Sequence, residues 1–323
     1  MTTSGFQSTD LLQDPSARTL AAGDLEAVFL PSHGMLGASL RHRGVEILRR
    51  VQDLGTAAAQ GQTAGIPLLH PWANRLAGPS YRAAGRAVTL DPSSPLLHRD
   101  ERGLPIHGVP WSRLDWTVIE AQPDRVAARL EWTRSELLAV FPFPHRLELA
   151  AMLRPEGLIL ETALTAGPDA PVPVSFGFHP YFGLPELPRA KWRLELPAMR
   201  RLALDPRRIP TGAEEAFSGL AAELGEREFD DGFALLEEPV SFALAGAGRR
   251  IVVELLGGYR YAQVFAPRDQ DYVALEPMTA PTNALASGRG LRLAAPGETL
   301  RATFRIGVEA AETEAAGRGG GRP

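Results

Sequence analysis

Short apolar runs parted by turn residues recur along almost the whole chain, and this cadence confines it to an all-β fold. Strands are expected at residues 25–31, 86–90, 116–120, 125–132, 145–153, 158–165, 192–196, 240–244, 250–256, 261–265, 272–275 and 300–308. A hairpin at 40–48 carries Arg41-His42-Arg43-Gly44 at its tip. Between 145–153 and 158–165, Arg154-Pro155-Glu156-Gly157 puts proline and glycine where a β-turn favours them. Strands spaced about 8–12 residues apart, with turn signals between them, indicate a sandwich or a barrel. Helix is expected only as one or two turns at 135–141 and a short piece at 214–224, and 52–65 reads as a loop. No repeat or low-complexity linker divides the chain. One β domain is therefore expected over residues 1–309, with 1–20 a polar lead-in, and 310–323 reads as a disordered tail.

Two stretches nearly a hundred residues apart stand out within that frame. In Val174-Ser175-Phe176-Gly177-Phe178-His179-Pro180-Tyr181-Phe182, an extended backbone puts Val174, Phe176 and Phe178 on one face. Ser175, Gly177 and His179 fall on the other, a small polar face suited to the floor of a cleft. Tyr272-Val273-Ala274-Leu275-Glu276-Pro277 repeats the pattern, with Val273 and Leu275 on the apolar face and Ala274 and Glu276 opposite. Each strand is expected to stop at its proline, which cannot donate the next ladder hydrogen bond. A histidine and a glutamate at two strand ends, both off the core face, are a candidate acid and base for one substrate.

Composition narrows the chemistry by exclusion. A net charge of -4 gives no reason to expect nucleic acid or an anionic membrane as partner. Without cysteine there is no disulfide, thiolate nucleophile or zinc–thiolate site, which fits the cytoplasm. No basic stretch followed by an apolar run marks a leader at Met1-Thr2-Thr3-Ser4-Gly5, and no apolar run approaches membrane-spanning length. No pair of histidines stands at ligand spacing beside a carboxylate, so no metal is expected.

The motifs carry a resemblance. Pro71-Trp72-Ala73-Asn74-Arg75-Leu76, His107-Gly108, Gly177-Phe178-His179-Pro180-Tyr181-Phe182 and Glu276-Pro277-Met278-Thr279-Ala280-Pro281-Thr282-Asn283-Ala284, with Asp230-Asp231-Gly232-Phe233, follow one another in the order found in the aldose 1-epimerases (galactose mutarotases). The chain resembles that family from about residue 25 to 308. The resemblance implies a large antiparallel β-sandwich with few short helices and a sugar cleft across one sheet. It implies a cofactor-free isomerase acting on a small sugar, with His179 the acid and Glu276 the base. It further implies that Arg75 and His107 contact the sugar and that Asp230 binds it, with Asp231 the alternative. Asn74, which either binds sugar or shapes the turn, and Gln263, on the face of Tyr261 and Phe265, complete the candidates.

Chemistry independent of the resemblance asks for the same groups. Exchanging α and β anomers opens a hemiacetal ring: a base takes the anomeric hydroxyl proton while an acid protonates the ring oxygen. After rotation about C1–C2 the ring closes on the other face. His33, His42, His70, His98 and His145 are assigned to structure or surface, and Trp72 and Trp111 to the cleft rim. A free aldose such as glucose or galactose is the first choice of substrate, and a hexose 6-phosphate or a purely sugar-binding role are the alternatives. The Pro71-Trp72-Ala73 lead into Asn74-Arg75 departs from the best-known members and leaves the preferred sugar open, and monomer and homodimer are equally compatible.

Overall fold

The computed structural model describes residues 11–49 and 54–310. Nine antiparallel strands form one large sheet, in the order Leu220–Glu223, Arg193–Leu196, Val240–Gly246, Arg249–Gly257, Thr299–Ala310, Gly157–Ala166, His145–Arg154, Arg125–Trp132, Thr117–Gln122. Alternation builds its inner face: Leu147, Leu149, Ala151 and Leu153 are buried, and they stand opposite Leu164, Thr162, Leu160 and Leu158. The second sheet runs Pro210–Phe217, Met199–Leu204, Phe229–Ala234, Tyr261–Ala266, Val273–Met278, Gly177–Phe178, Leu68–Leu69, with Tyr181–Phe182 also paired to Val273–Met278. The two sheets share one core, in which Phe178 of the second meets Phe304 of the first with ring centroids 5.1 Å apart. A four-stranded antiparallel sheet, Arg18–Ala22 through Val45–Glu46, adds to the same core. Among the described residues no helix is long and apolar enough to cross a membrane.

Phe304 is fully buried and also packs edge-on against Tyr259. Truncating it removes an aromatic side chain from the seam between the sheets, where neighbours cannot close the hole. Phe304→Ala is expected to cost about 3–5 kcal/mol in urea unfolding. A loss below about 1 kcal/mol would mean that this seam is not where the two sheets hold together.

Several elements differ from the sequence expectations. The helix expected at 214–224 is two strands: Glu214 and Glu215 pair with Leu202 and Arg201, and Leu220–Glu223 pairs with Arg193–Leu196. Glu, Ala and Leu favour a helix, but here the ladder overrides propensity. Gly219 (φ 93) carries the chain from one sheet to the other, and a Cβ there would stand 2.8 Å from the Leu196 carbonyl oxygen. The 52–65 segment contains a helix, Leu54–Gln60, while residues 52 and 53 lie outside the described residues. The lead-in is not wholly unstructured, since Leu11 is buried and the first strand starts at Arg18. From residue 311 the tail lies outside the described residues.

The chain breaks at Pro180 as expected, but not at Pro277. Val273–Met278 runs straight through Pro277, which stands opposite Ala262. An antiparallel ladder alternates pairs that exchange hydrogen bonds with pairs that do not, which leaves room for a residue without an N–H. The 174–182 stretch is not one strand but three, Val172–Val174, Gly177–Phe178 and Tyr181–Phe182. Trp72 and Trp111 are buried rather than at a rim; the Trp111 indole N–H donates to the Gln62 carbonyl at 2.9 Å. His70 and His145 are structural, joined Nε2 to Nε2 at 2.9 Å in the core beside Trp132.

Candidate active site

Register brings the candidates to one face of the second sheet. Directly opposite residues in an antiparallel pair point the same way. Gln263 faces Glu276, Phe265 faces Ala274, Asp230 faces Phe265, and Tyr181 faces Ala274. Asp230, Gln263, Glu276 and Tyr181 therefore share a face. Asp231 is one residue out of step, on the other face, beside Arg201 at 3.6 Å. His179 sits at the break between Gly177–Phe178 and Tyr181–Phe182, its amide donating to the Pro67 carbonyl at 3.2 Å. There its imidazole Nε2 lies 3.2 Å from Glu276 Oε1, with side chains only 5% and 2% exposed. The small polar face thus leads to a pair set below the surface rather than to an open floor.

Burial decides how this pair holds its protons. It pushes the Glu276 carboxyl well above its ordinary value, with the Asp230 charge adding to the effect and Arg75 opposing it. The same burial pushes His179 down to about 3. Both shifts favour the uncharged forms, which puts the proton of the pair on the carboxyl, 3.2 Å from the imidazole. With the proton on His179, the pair is an acid beside a base; with it on Glu276, the roles are exchanged. Anomerase chemistry passes through both arrangements, one for opening and the other for closing.

A pH dependence follows. The single-proton pair is lost when His179 takes a second proton, well below the ordinary histidine value, and when Glu276 gives up its proton, well above the ordinary carboxylate value. In an anomer-exchange assay followed by polarimetry, the acid limb of kcat is expected well below pH 6.5, because burial lowers His179. A kcat that rises with pH through 6.5, the value of an unperturbed imidazole, would contradict this.

Arg75, Asn74 and His107 form a second wall. Asn74 is in the left-handed region (φ 56), and its Oδ1 accepts the Arg75 amide at 2.8 Å while its carbonyl accepts the His107 amide at 2.9 Å. Its side chain thus shapes the turn. Arg75 donates from Nε to Asp100 Oδ2 at 2.7 Å, and Asp100 Oδ1 accepts the amides of Arg102 and Leu104. Burial works against the Asp100 carboxylate, yet these bonds outweigh it and hold its pKa below the ordinary value. His107 also has a positive φ (62), and its ring meets that of His179 edge-on at 5.4 Å. Non-glycine residues in this region signal backbone held by its surroundings, and they gather at functional sites.

Gly108 makes the His107 conformation possible. It runs at φ 65, and a Cβ there would lie 2.3 Å from the His70 carbonyl oxygen. Gly108→Ala must shift either backbone and with it His107. A KM raised about tenfold or more is expected in the anomer-exchange assay, with His179 and Glu276 unchanged in place. An unaltered KM would detach His107 from sugar binding.

On the far side, Gln263 Nε2 donates to Asp230 Oδ1 at 2.8 Å, and Arg208 Nε approaches Asp230 Oδ2 at 3.6 Å. A Cβ on Gly232 would stand 3.2 Å from Gln263 Oε1, so the glycine keeps this contact open. Sequence reasoning missed Asp100, Tyr181 and Thr63. Asp100 lay close to the His107-Gly108 motif in a charged turn, the one usable signal. Nothing in the sequence joins Thr63 to Tyr181, although their hydroxyls are hydrogen-bonded. Among the described residues, no group of three or more His, Asp or Glu side chains is arranged to hold a metal ion.

Fold and site together define a β-sandwich with a buried histidine–glutamate pair on one sheet, and similarity to known proteins agrees with that fold. The chain belongs to the aldose 1-epimerase family, whose model matches residues 19–307. It is 25% identical over 255 residues to the uncharacterized protein YihR of Escherichia coli (strain K12), covering 75% of this chain and 80% of that protein. The solved structure of Slr1438 from Synechocystis sp. PCC 6803 superposes with a TM-score of 0.76 at 24% identity, covering 96% of this chain and 100% of that one. A galactose mutarotase-like protein from Clostridium acetobutylicum gives a TM-score of 0.78 at 21% identity, covering 91% of this chain and 95% of its own.

Proposed function

We propose that this family member is an aldose 1-epimerase that interconverts the α and β anomers of a free aldose. The observation that carries the reading is the 3.2 Å approach of His179 Nε2 to Glu276 Oε1. The two oxygens that exchange protons during anomerisation, the ring oxygen and the anomeric hydroxyl, are both bonded to C1. Two groups in contact with each other can reach both. Glu276 takes the hydroxyl proton as His179 protonates the ring oxygen, the C1–O5 bond breaks, and the aldehyde rotates about C1–C2. Ring closure returns each proton to its donor. Arg75, His107, Asp230 and Gln263 bind the hydroxyls and hold C1 over the pair, with Asn74 fixing the turn.

A neutral sugar suits the charge balance around the pair better than a phosphorylated one. Arg75 is matched by Asp100 and Arg208 by Asp230. These guanidiniums have carboxylate partners and supply no surplus positive charge for a phosphate dianion. The test is catalysed anomer exchange, by NMR, on glucose, galactose and glucose 6-phosphate. Exchange of the free hexoses is expected. Catalysis of the phosphate alone would overturn the free-aldose reading, and sugar binding without any exchange would leave a binding protein.

A further inference from the structure

A buried carboxylate stands behind the wall that carries Arg75 and His107. The Asp100 side chain is only 2% exposed, and its two oxygens are divided between two tasks. Oδ1 accepts the amides of Arg102 at 3.0 Å and Leu104 at 2.8 Å, within the turn that leads to His107. Oδ2 accepts Arg75 Nε at 2.7 Å. Backbone bonds close the same turn: the Asp100 amide donates to the Leu104 carbonyl at 3.0 Å, and the Gly103 amide donates to the Asp100 carbonyl at 2.9 Å. The turn is therefore complete without Oδ2, and the bond to Arg75 is additional to it.

The Arg75 backbone is fixed as well. Its carbonyl accepts the Asn283 amide at 2.9 Å, and the next amide, of Leu76, donates to the Pro105 carbonyl at 2.8 Å. Beyond Cβ, an arginine keeps several rotatable bonds, and gripping Nε stops them near the planar head. Nη1 makes a long contact with Asn74 Oδ1 at 3.4 Å. Among the described residues Nη2 has no hydrogen-bond partner, so it is the nitrogen left to meet a substrate. Both Glu276 and His107 feel the guanidinium charge, which places the group within the site and not behind it.

We propose that Asp100 is a positioning residue that locks the Arg75 guanidinium with Nη2 presented to the sugar. Its negative charge also offsets that of Arg75, so a neutral hydroxyl meets a strong donor with little net charge beside it. The role rests on the ring-opening reading above.

Asp100→Asn matches the shape of the side chain but not its hydrogen bonding. A carboxylate accepts on both oxygens, whereas an amide accepts on one side and donates on the other. All three partners of the Asp100 carboxylate are donors. By staying with the Arg102 and Leu104 amides, the amide oxygen satisfies two of them. Its NH2 then stands against the Arg75 Nε–H, donor against donor. The guanidinium is released while the turn remains.

The test measures galactose and glucose exchange by the full-length parent, Asp100→Asn, Arg75→Gln and the double variant. Asp100→Asn is expected to raise KM about 10- to 100-fold, the effect of one charge-assisted hydrogen bond, with kcat within about threefold of the parent. In the Arg75→Gln background, Asp100→Asn should add less than about twofold, because no guanidinium remains to be held. The full factor in both backgrounds would overturn the proposal. In the sugar-free proteins, nitrogen-15 NMR should show the Arg75 Nε–H signal changed by Asp100→Asn and the Arg102 and Leu104 amide signals kept. An unchanged Nε–H signal overturns the proposal, and so do displaced amides, which would make Asp100 a prop for its own turn. A parent that binds galactose without exchanging it defeats the ring-opening reading alone, and the same variants are then compared by their dissociation constants. A parent that does neither defeats both.

Discussion

Glu276→Gln is expected to bind sugar as the parent does and to lose about 10²–10⁴-fold in kcat. The amide fills the same volume beside His179, but it neither accepts the anomeric proton nor returns it. Folding should be spared. Burial already holds the Glu276 carboxyl in its neutral form, so a neutral amide adds no desolvation cost. Thermal unfolding is expected at the parent temperature or slightly above, the pattern of a group kept for activity at some expense in stability. A variant with parent kcat would remove Glu276 from the chemistry.

His179→Asn is expected to lower kcat by a similar factor of about 10²–10⁴, by removing the group proposed to protonate the ring oxygen. This substitution is less neutral for folding. It strips Tyr181 of its stacked partner and leaves Glu276 Oε1 facing a shorter side chain. A stability loss of about 1–3 kcal/mol in urea is expected, with sugar affinity changed far less than kcat. The double variant decides whether the two act as a unit. If one proton passes between them, removing both should be no slower than the worse single variant. Multiplied losses would point to two independent contributions instead of a shared proton.

Much of the fold was legible in the sequence because alternation and turns are local properties. The strands at 125–132, 145–153 and 158–165 show their period directly, and Arg154-Pro155-Glu156-Gly157 marks the turn between two of them. What escaped was set by distant partners. The 214–224 stretch has the composition of a helix and becomes strand only because Met199–Leu204 and Arg193–Leu196 offer it ladders. Pro277 reads as a strand end until the register with Ala262 is known. The site divides in the same way. His179 and Glu276 could be singled out as one imidazole and one carboxylate off the core face, but their depth could not. Whether Asp230 or Asp231 shares their face depends on pairing with Phe265 and Val264. Tyr181 looked like one more motif aromatic, since its hydroxyl partner lies 118 residues away in the chain.

The most direct measurement is two-dimensional exchange NMR on a free hexose at equal sugar occupancy of the parent and Glu276→Gln proteins. Cross-peaks between the α and β anomeric protons should build up quickly with the parent and at close to the uncatalysed rate with the variant. Equal build-up in both samples would mean that the contact between His179 and Glu276 is not where the ring opens.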